Sequence, residues 1–224
     1  MTSEKEKRKR FAVIGLGILG NSIARTLARE GAEVIAMDRN MKFVDAIKDE
    51  VTLAVQCDAT DRDTLEQLGI AEVDAAMVCI GEDFQSSVLT TANLLELKVK
   101  RVAVRAISEM AASILKRLGA HDIFFVESEM GIEIAHKLYR PSIVQEMQLG
   151  GGYRIIQWDP PKSFHGKTLA ELSLPRIFNV QVVAIKSVDE ESAIQIPSAA
   201  TVIQPGVRLM VCGHGNDLRR LVTG

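Results

Sequence analysis

Short apolar runs alternate with amphipathic stretches along the first two thirds of the chain. The runs "RFAVIG" (10–15), "EVIAMD" (33–38), "LAVQCD" (53–58), "DAAMVCIG" (74–81), "RVAVRA" (101–106) and "DIFFVES" (122–128) are each about strand length. They are rich in Val and Ile and apolar at successive positions, so both faces are expected to be buried, as in central parallel strands. Between them apolar residues recur at helical spacing: Leu19, Ile23 and Leu27; Phe43 and Ile47; Val88, Ala92 and Leu95; Ala111, Leu115 and Leu118. Repeated alternation of strand and helix predicts an α/β fold with one doubly wound parallel sheet, Rossmann-like, with helices on both faces.

The pattern changes after the sixth run. "SEMGIEIAHKLYRP" carries a stripe of Met130, Ile134 and Leu138 and is stopped by Pro141. Gly150, Gly151 and Gly152 then read as a flexible joint. Beyond them "YRIIQWD", "VQVVAIKS", "AIQIPS" and "RLMVCG" are short strand candidates, with small helices at "TLAELS" and "NDLRRLV". The expected organisation is a nucleotide-binding domain over 10–148 and a small α+β module over 152–224. So small a module has little core of its own and is expected to pair with a copy of itself or lean on the first domain.

Composition narrows the classes. With 27 Lys plus Arg against 29 Asp plus Glu, the formal charge is −2, which gives no general attraction to nucleic acid. The charged start "MTSEKEKRKR" is no secretory signal; with Glu4 and Glu6 in it, it reads as a short solvated tail. No apolar stretch reaches the roughly 20 residues of a bilayer span, so a cytoplasmic location is expected. Cys57, Cys79 and Cys212 lie too far apart for a disulfide framework or a metal knuckle.

The chemistry concentrates after the first run. Gly15, Gly17 and Gly20 form G-x-G-x-x-G between a strand and a helix, and Asp38 closes the second strand 18 positions after Gly20. Gly15 is suited to the tight turn, Gly17 to backbone approach by a pyrophosphate, and Gly20 to close helix–strand packing. Ile18 and Leu19 complete the loop, whose free N–H groups face an anion. Asp38 is placed to accept from a ribose diol, which disfavours a 2′-phosphate; Arg39 beside it could embrace such a phosphate but, with the Asp present, is read as solvated or stacked on adenine. Ligands in open sheets lie beyond the carboxyl ends of the strands. Asp58 and Ala59 are therefore expected near the base, Ile80 and Gly81 along the crevice, and Arg105 either on phosphate or paired with a carboxylate such as Asp58 or Glu127. No proton relay for a dehydrogenase is visible. Tyr139 and Tyr153 lack a Lys four residues on, and His121, His136, His165 and His214 have no evident carboxylate partner. An NAD-dependent oxidoreductase and a soluble NADH redox sensor are the rival readings.

The segments "FAVIGLGILGNSIARTLAREGAEVIAMDRN", "CDATDRDTLEQLGI", "CIGEDFQSSVLTTANLLEL", "RLGAHDIFFVESEMGIEIA" and "PGVRLMVCGHGNDLRRL" resemble the RCK proteins, cytosolic regulators of potassium conductance of the Ktr and Trk type, with TrkA-N and TrkA-C domains. The resemblance covers residues 10–222. It implies a regulatory subunit rather than an enzyme. Such subunits pair through the crossover helix, here near 128–140, and assemble as a ring of dimers, commonly an octamer, beneath a membrane potassium transporter or channel. The implied ligand is ATP or ADP in Ktr-type members and NAD(H) in Trk-type members. The implied site consists of Gly15, Gly17 and Gly20 on phosphate, Asp38 on ribose, Asp58 and Ala59 on the base, Arg105 near phosphate, and Glu127 holding a divalent cation beside it. Ile18 stands where ATP-sensing Ktr members often carry Arg. Gly206-Val207 and Pro175 depart from the family pattern in the second module, and the chain gives no strong sign of the cyclic di-AMP site that some members have there.

Overall fold

The computed structural model describes residues 8–188 and 194–223. The expected tail at 1–7 and the first residue of "AIQIPS" lie outside the described residues. The chain divides into two compact units between Glu129 and Met130.

The first unit contains β1 (Arg10–Ile14), α1 (Ile18–Arg29), β2 (Glu33–Asp38), α2 (Met41–Asp45), β3 (Leu53–Gln56), α3 (Arg62–Gln67), β4 (Ala75–Val78), α4 (Phe84–Glu96), β5 (Val102–Arg105), α5 (Glu109–Leu118) and β6 (Asp122–Phe124). The strands form one parallel sheet in the order β3-β2-β1-β4-β5-β6. Chain direction across the sheet reverses beside β1, and this creates the crevice at the strand ends. Alternating side chains feed two cores. Ile14, Met37, Val78 and Val104 pack with Leu65, Leu94 and Leu115 from α3, α4 and α5. Val13, Val34 and Ala36 pack with Ala24 and Val44 from α1 and α2. The expected doubly wound fold is what the chain adopts.

Close approach of α1 to β1 depends on one position. A Cβ built on Gly20 falls 1.8 Å from the Gly15 carbonyl oxygen, so only glycine fits there. α4 starts at Asp83, whose Oδ1 accepts from the Ser86 N–H at 3.0 Å. α5 starts at Ser108 and stops at Gly119 in the left-handed region.

The run expected as strand over 122–128 is shorter, because β6 stops at Phe124 and α6 (Val126–Tyr139) begins. Glu127 and Glu129 in its first turn favour the helix N-terminus. Among the residues of α6 none is buried, and Met130, Ile134 and Leu138 are exposed.

The second unit adds β7 (Ile143–Gly150), β8 (Tyr153–Trp158), α7 (Leu169–Leu172), α8 (Leu174–Phe178), β9 (Val180–Ser187), β10 (Ile194–Gln195), β11 (Val207–His214) and α9 (Gly215–Thr223). These strands form an antiparallel sheet in the order β10-β9-β11-β8-β7. Its core gathers Ile156, Trp158, Leu174, Ile203, Leu209 and Val211. Gly150, Gly151 and Gly152 do not act as a joint. All three have positive φ: Gly151 and Gly152 make the turn of the β7–β8 hairpin, and Gly150 at the end of β7 sits opposite Tyr153. Among the described residues no helix is long and apolar enough to cross a membrane.

Candidate functional site

A cleft of about 800 Å³ opens at the carboxyl end of the first sheet. Of the residues singled out in the sequence, Gly15, Gly17, Ile18, Leu19, Asp38, Arg39, Asp58, Ala59, Ile80, Gly81, Arg105 and Glu127 line it. Gly20 does not; it packs beneath the wall. The sheet order explains the gathering, since β1, β2, β3, β4 and β5 all end at this crevice.

The glycine loop is braced from below and open above. Gly15, at φ +90°, donates its N–H to the Met37 carbonyl at 2.8 Å. Asp38 at the end of β2 secures the next residue: its Oδ2 accepts from the Leu16 N–H at 2.7 Å, and its Oδ1 accepts from the Asn40 N–H at 2.8 Å. Gly17 precedes the first turn of α1, and a Cβ there would meet nothing within 4 Å. The protein itself thus does not require glycine at 17, whereas a ligand approaching the helix amides does. Ile18 is 96% exposed and puts an apolar side chain at the tip of the loop.

Two guanidinia hold the two ends. Arg39 donates from Nη2 to Asp83 Oδ2 at 3.3 Å and to Ser86 Oγ. Arg105, at the end of β5, pairs through Nη2 with Glu127 Oε1 in the first turn of α6. This pairing holds the Glu127 carboxyl below the usual range, chiefly through the hydrogen bond from Arg105. The Arg105 guanidinium lies where a side chain on Gly81 would be, with a built Cβ 2.3 Å from Nη1. Gly81 is therefore the space that admits Arg105. Asp58 is exposed, and its carboxyl is lowered first by the Thr60 N–H and then by the Thr60 hydroxyl, both donating to Oδ1. Five carboxylates (Asp38, Asp58, Glu82, Asp83, Glu127) and two guanidinia line the cleft, so its charge is negative.

Two buried polar atoms on the wall lack a partner within the protein: Nε of Arg105 and Oγ1 of Thr90. Each is enclosed by protein, and leaving such a group unmet costs about 1–3 kcal/mol. The open Gly17 loop and the exposed rim at Asp58 leave the mouth of the cleft accessible. Among the described residues no three His, Cys, Asp or Glu side chains gather as a metal cage. A cation at Glu127 would therefore need ligand oxygens to complete its shell.

Sequence reasoning missed Ser22, Phe43, Cys57, Cys79, Thr90 and Val126 on the wall. Thr90 was out of reach because α4 reads as an ordinary amphipathic helix, with no local signal separating a cleft-facing hydroxyl from a solvated one. Cys57 is half-buried and Cys79 buried. Burial pushes the Cys57 thiol up to about 11 and the Cys79 thiol up to about 12, so neither is a nucleophile at neutral pH.

The fold and crevice define a Rossmann-class glycine-loop protein with an appended antiparallel module. The TrkA-N domain matches residues 11–126 and the TrkA-C domain residues 154–223. The Ktr system potassium uptake proteins C and A of Bacillus subtilis (strain 168) are 34% and 32% identical over 95% and 96% of this chain, and 96% of each relative is covered. The chain belongs to this TrkA-N/TrkA-C family of Ktr and Trk potassium uptake proteins. The crystal structure of the GsuK RCK domain aligns over 98% of this chain with a TM-score of 0.67 at 13% identity, a likeness of fold alone. The GsuK channel bound to NAD aligns over 96% (TM-score 0.55, 25% identity), and GsuK bound to ADP over 58% (TM-score 0.50, 27% identity). The chain spans about 49%, 38% and 33% of those three structures' lengths.

Proposed function

We propose that the protein is a nucleotide-sensing regulatory subunit that gates a membrane potassium transporter or channel from its cytoplasmic side. The observation that carries this reading is the open Gly17 loop facing Asp38 and Arg105 in a chain that matches Ktr uptake proteins along nearly its whole length. The ligand is an adenine nucleotide. Its pyrophosphate sits over the α1 amides, its ribose on Asp38, its base beside Asp58, Ala59 and Ile80, and its outer phosphate within reach of Arg105. The solved GsuK structures with NAD and with ADP support that class. Ile18 offers no charge to a terminal phosphate, and the cleft is itself negative. ADP or NAD(H) therefore suits it better than free ATP, and a triphosphate is expected to bring a divalent cation to Glu127.

In this reading the nucleotide is a signal, not a substrate. Phosphate oxygens compete with Glu127 for Arg105, and Glu127 belongs to the first turn of α6, so occupancy of the crevice bears on the start of that helix. The exposed Met130, Ile134 and Leu138 are the surface through which copies pair and build a ring, with an octamer as the expected stoichiometry. Each bound nucleotide shifts the ring only by its difference in affinity between ring shapes, typically about 1–3 kcal/mol per site. Several sites acting together supply the leverage.

The test is nucleotide-dependent potassium flux in vesicles carrying a Ktr-type membrane subunit and this protein. Flux is expected to change with the nucleotide supplied and to lose that dependence in Asp38→Ala. Identical flux with ADP, ATP, NADH and no nucleotide would remove the regulatory reading.

A further inference from the structure

Asp38 and Arg39 place a carboxylate and a guanidinium at consecutive positions where a ribose is read. In this fold class the carboxylate takes an unmodified ribose diol, while a nearby Arg accommodates a 2′-phosphate. A chain with both is ambiguous until the position of the Arg is known. Here the guanidinium is turned across the crevice. β2 and β4 lie on either side of β1, so the bonds from Arg39 to Asp83 Oδ2 and Ser86 Oγ span the end of the strand from which the glycine loop rises.

The receiving end is well built. Asp83 accepts the Ser86 N–H at Oδ1 and the Ser86 hydroxyl at Oδ2, and it receives Arg39 on the same Oδ2. These bonds, Ser86 foremost and Arg39 after it, hold the Asp83 carboxyl below the usual range, so it stays charged. Ser86 is itself buried, which fixes the acceptor geometry. At the other end, the Arg39 carbonyl accepts from Gln56 Nε2 at 2.9 Å, tying the Arg39 backbone to the end of β3. A 2′-phosphate at this corner meets Asp38 and finds the Arg39 guanidinium already committed to a carboxylate.

We propose that Asp83 and Ser86 are specificity determinants of the crevice: by holding Arg39 across it, they direct the site to a free 2′-hydroxyl and against a 2′-phosphorylated adenine nucleotide. The inference rests on the crevice being an adenine-nucleotide site. It assigns to the N-cap and a first-turn residue of α4 a role that neither the glycine loop nor Asp38 performs alone. Asp83 thereby does two things with one side chain, capping a helix and sequestering a cation.

The experiment measures binding to the full chain of two ligand pairs that differ only at the 2′ position: NAD⁺ with NADP⁺, and AMP with adenosine 2′,5′-bisphosphate. The wild type is expected to favour the unphosphorylated member of each pair. Asp83→Asn keeps the cap, since Asn caps as well as Asp, and removes the charge. Combined with Ser86→Ala, it is expected to narrow the preference by about tenfold, as a charge-assisted contact becomes available to the phosphate. Adding Arg39→Ala to that pair should restore the original ratio. Arg39→Ala alone should leave the ratio, though not each affinity, near the wild-type value, because the guanidinium is not at the 2′ position to begin with.

An unaltered ratio in the Asp83→Asn/Ser86→Ala protein overturns the proposal. A ratio widened by Arg39→Ala alone also overturns it, since Arg39 would then already touch the phosphate, and that single variant decides the matter if the double variant does not fold. Failure of the wild type to bind NAD⁺ or AMP at all would instead sink the nucleotide reading of the crevice.

Discussion

The two guanidinia of the crevice look alike on paper and differ in what they leave free. Arg39 is 53% exposed and its Nη2 is committed to Asp83 and Ser86. Arg105 is 23% exposed, lies over Gly81, and retains a buried Nε with no partner beside its bond to Glu127. An incoming phosphate must take Arg39 from two acceptors at once, the Asp83 carboxylate and the buried Ser86 hydroxyl. At Arg105 it forms a charge-assisted bond to a guanidinium that the protein has already largely desolvated. What a guanidinium offers a ligand is therefore set by its existing partners and its desolvation, not by its presence in a cleft.

The largest expected effect removes the ground both pairs stand on. Gly20→Ala drives a Cβ to within 1.8 Å of the Gly15 carbonyl. It should cost about 3 kcal/mol or more in urea denaturation, at the upper end of overpacking penalties. A loss below about 1 kcal/mol would mean that α1 can shift on β1 without disturbing the loop.

Next in size is the asymmetry itself. Arg105→Gln should weaken ADP binding roughly 10- to 100-fold, the worth of a hydrogen bond to a charged group. Arg39→Gln should weaken it by no more than about threefold, in keeping with an exposed ion pair. Titration calorimetry on both variants decides the matter, and equal losses would erase the distinction drawn between the two ends.

The smallest effect concerns pH. The Asp83 and Glu127 carboxyls are both held below their ordinary values, Asp83 chiefly by Ser86 and Glu127 chiefly by Arg105. A depressed carboxylate contributes stability that is complete above its unfolded pKa and is lost as pH falls through the folded one. The difference in stability between wild type and Glu127→Gln should thus be flat at neutral pH and shrink on acidification below the usual carboxylate range. Its size should stay under about 1 kcal/mol because the pair is exposed. A difference that grows on acidification would place Glu127 in some other interaction.

Much of the first unit was legible because its central parallel strands β1, β2, β4 and β5 are largely buried, while the edge strands β3 and β6 hold no buried residue. The runs from "RFAVIG" to "RVAVRA" stand out as apolar blocks, and the glycine spacing fixes where the crevice lies. The second unit obeys a different rule, with one face of an antiparallel sheet packed on α7, α8 and α9. β7 reads "IVQEMQLG", where only Ile143 is buried, and so it escaped notice. Without β7, the following glycines looked like a joint rather than a hairpin turn. In the crevice, Asp38 was legible from its distance to the glycine loop. The partners of Arg39 were not, because Asp83 and Ser86 reach it only through the placement of β2 and β4 on either side of β1. Gly81 likewise reads as one more crevice glycine until the Arg105 guanidinium is seen lying on it.

The central claim is that the amides above Gly17 hold the phosphates of an adenine nucleotide. Calorimetric titration of ADP and of NADH into wild-type and Gly17→Val protein tests it most directly, because a Cβ at 17 meets no protein atom within 4 Å and points into the space a ligand would take. The account expects saturable binding of at least one nucleotide to the wild type and its loss in Gly17→Val with the thermal midpoint nearly kept. Equal binding by the two proteins would contradict it.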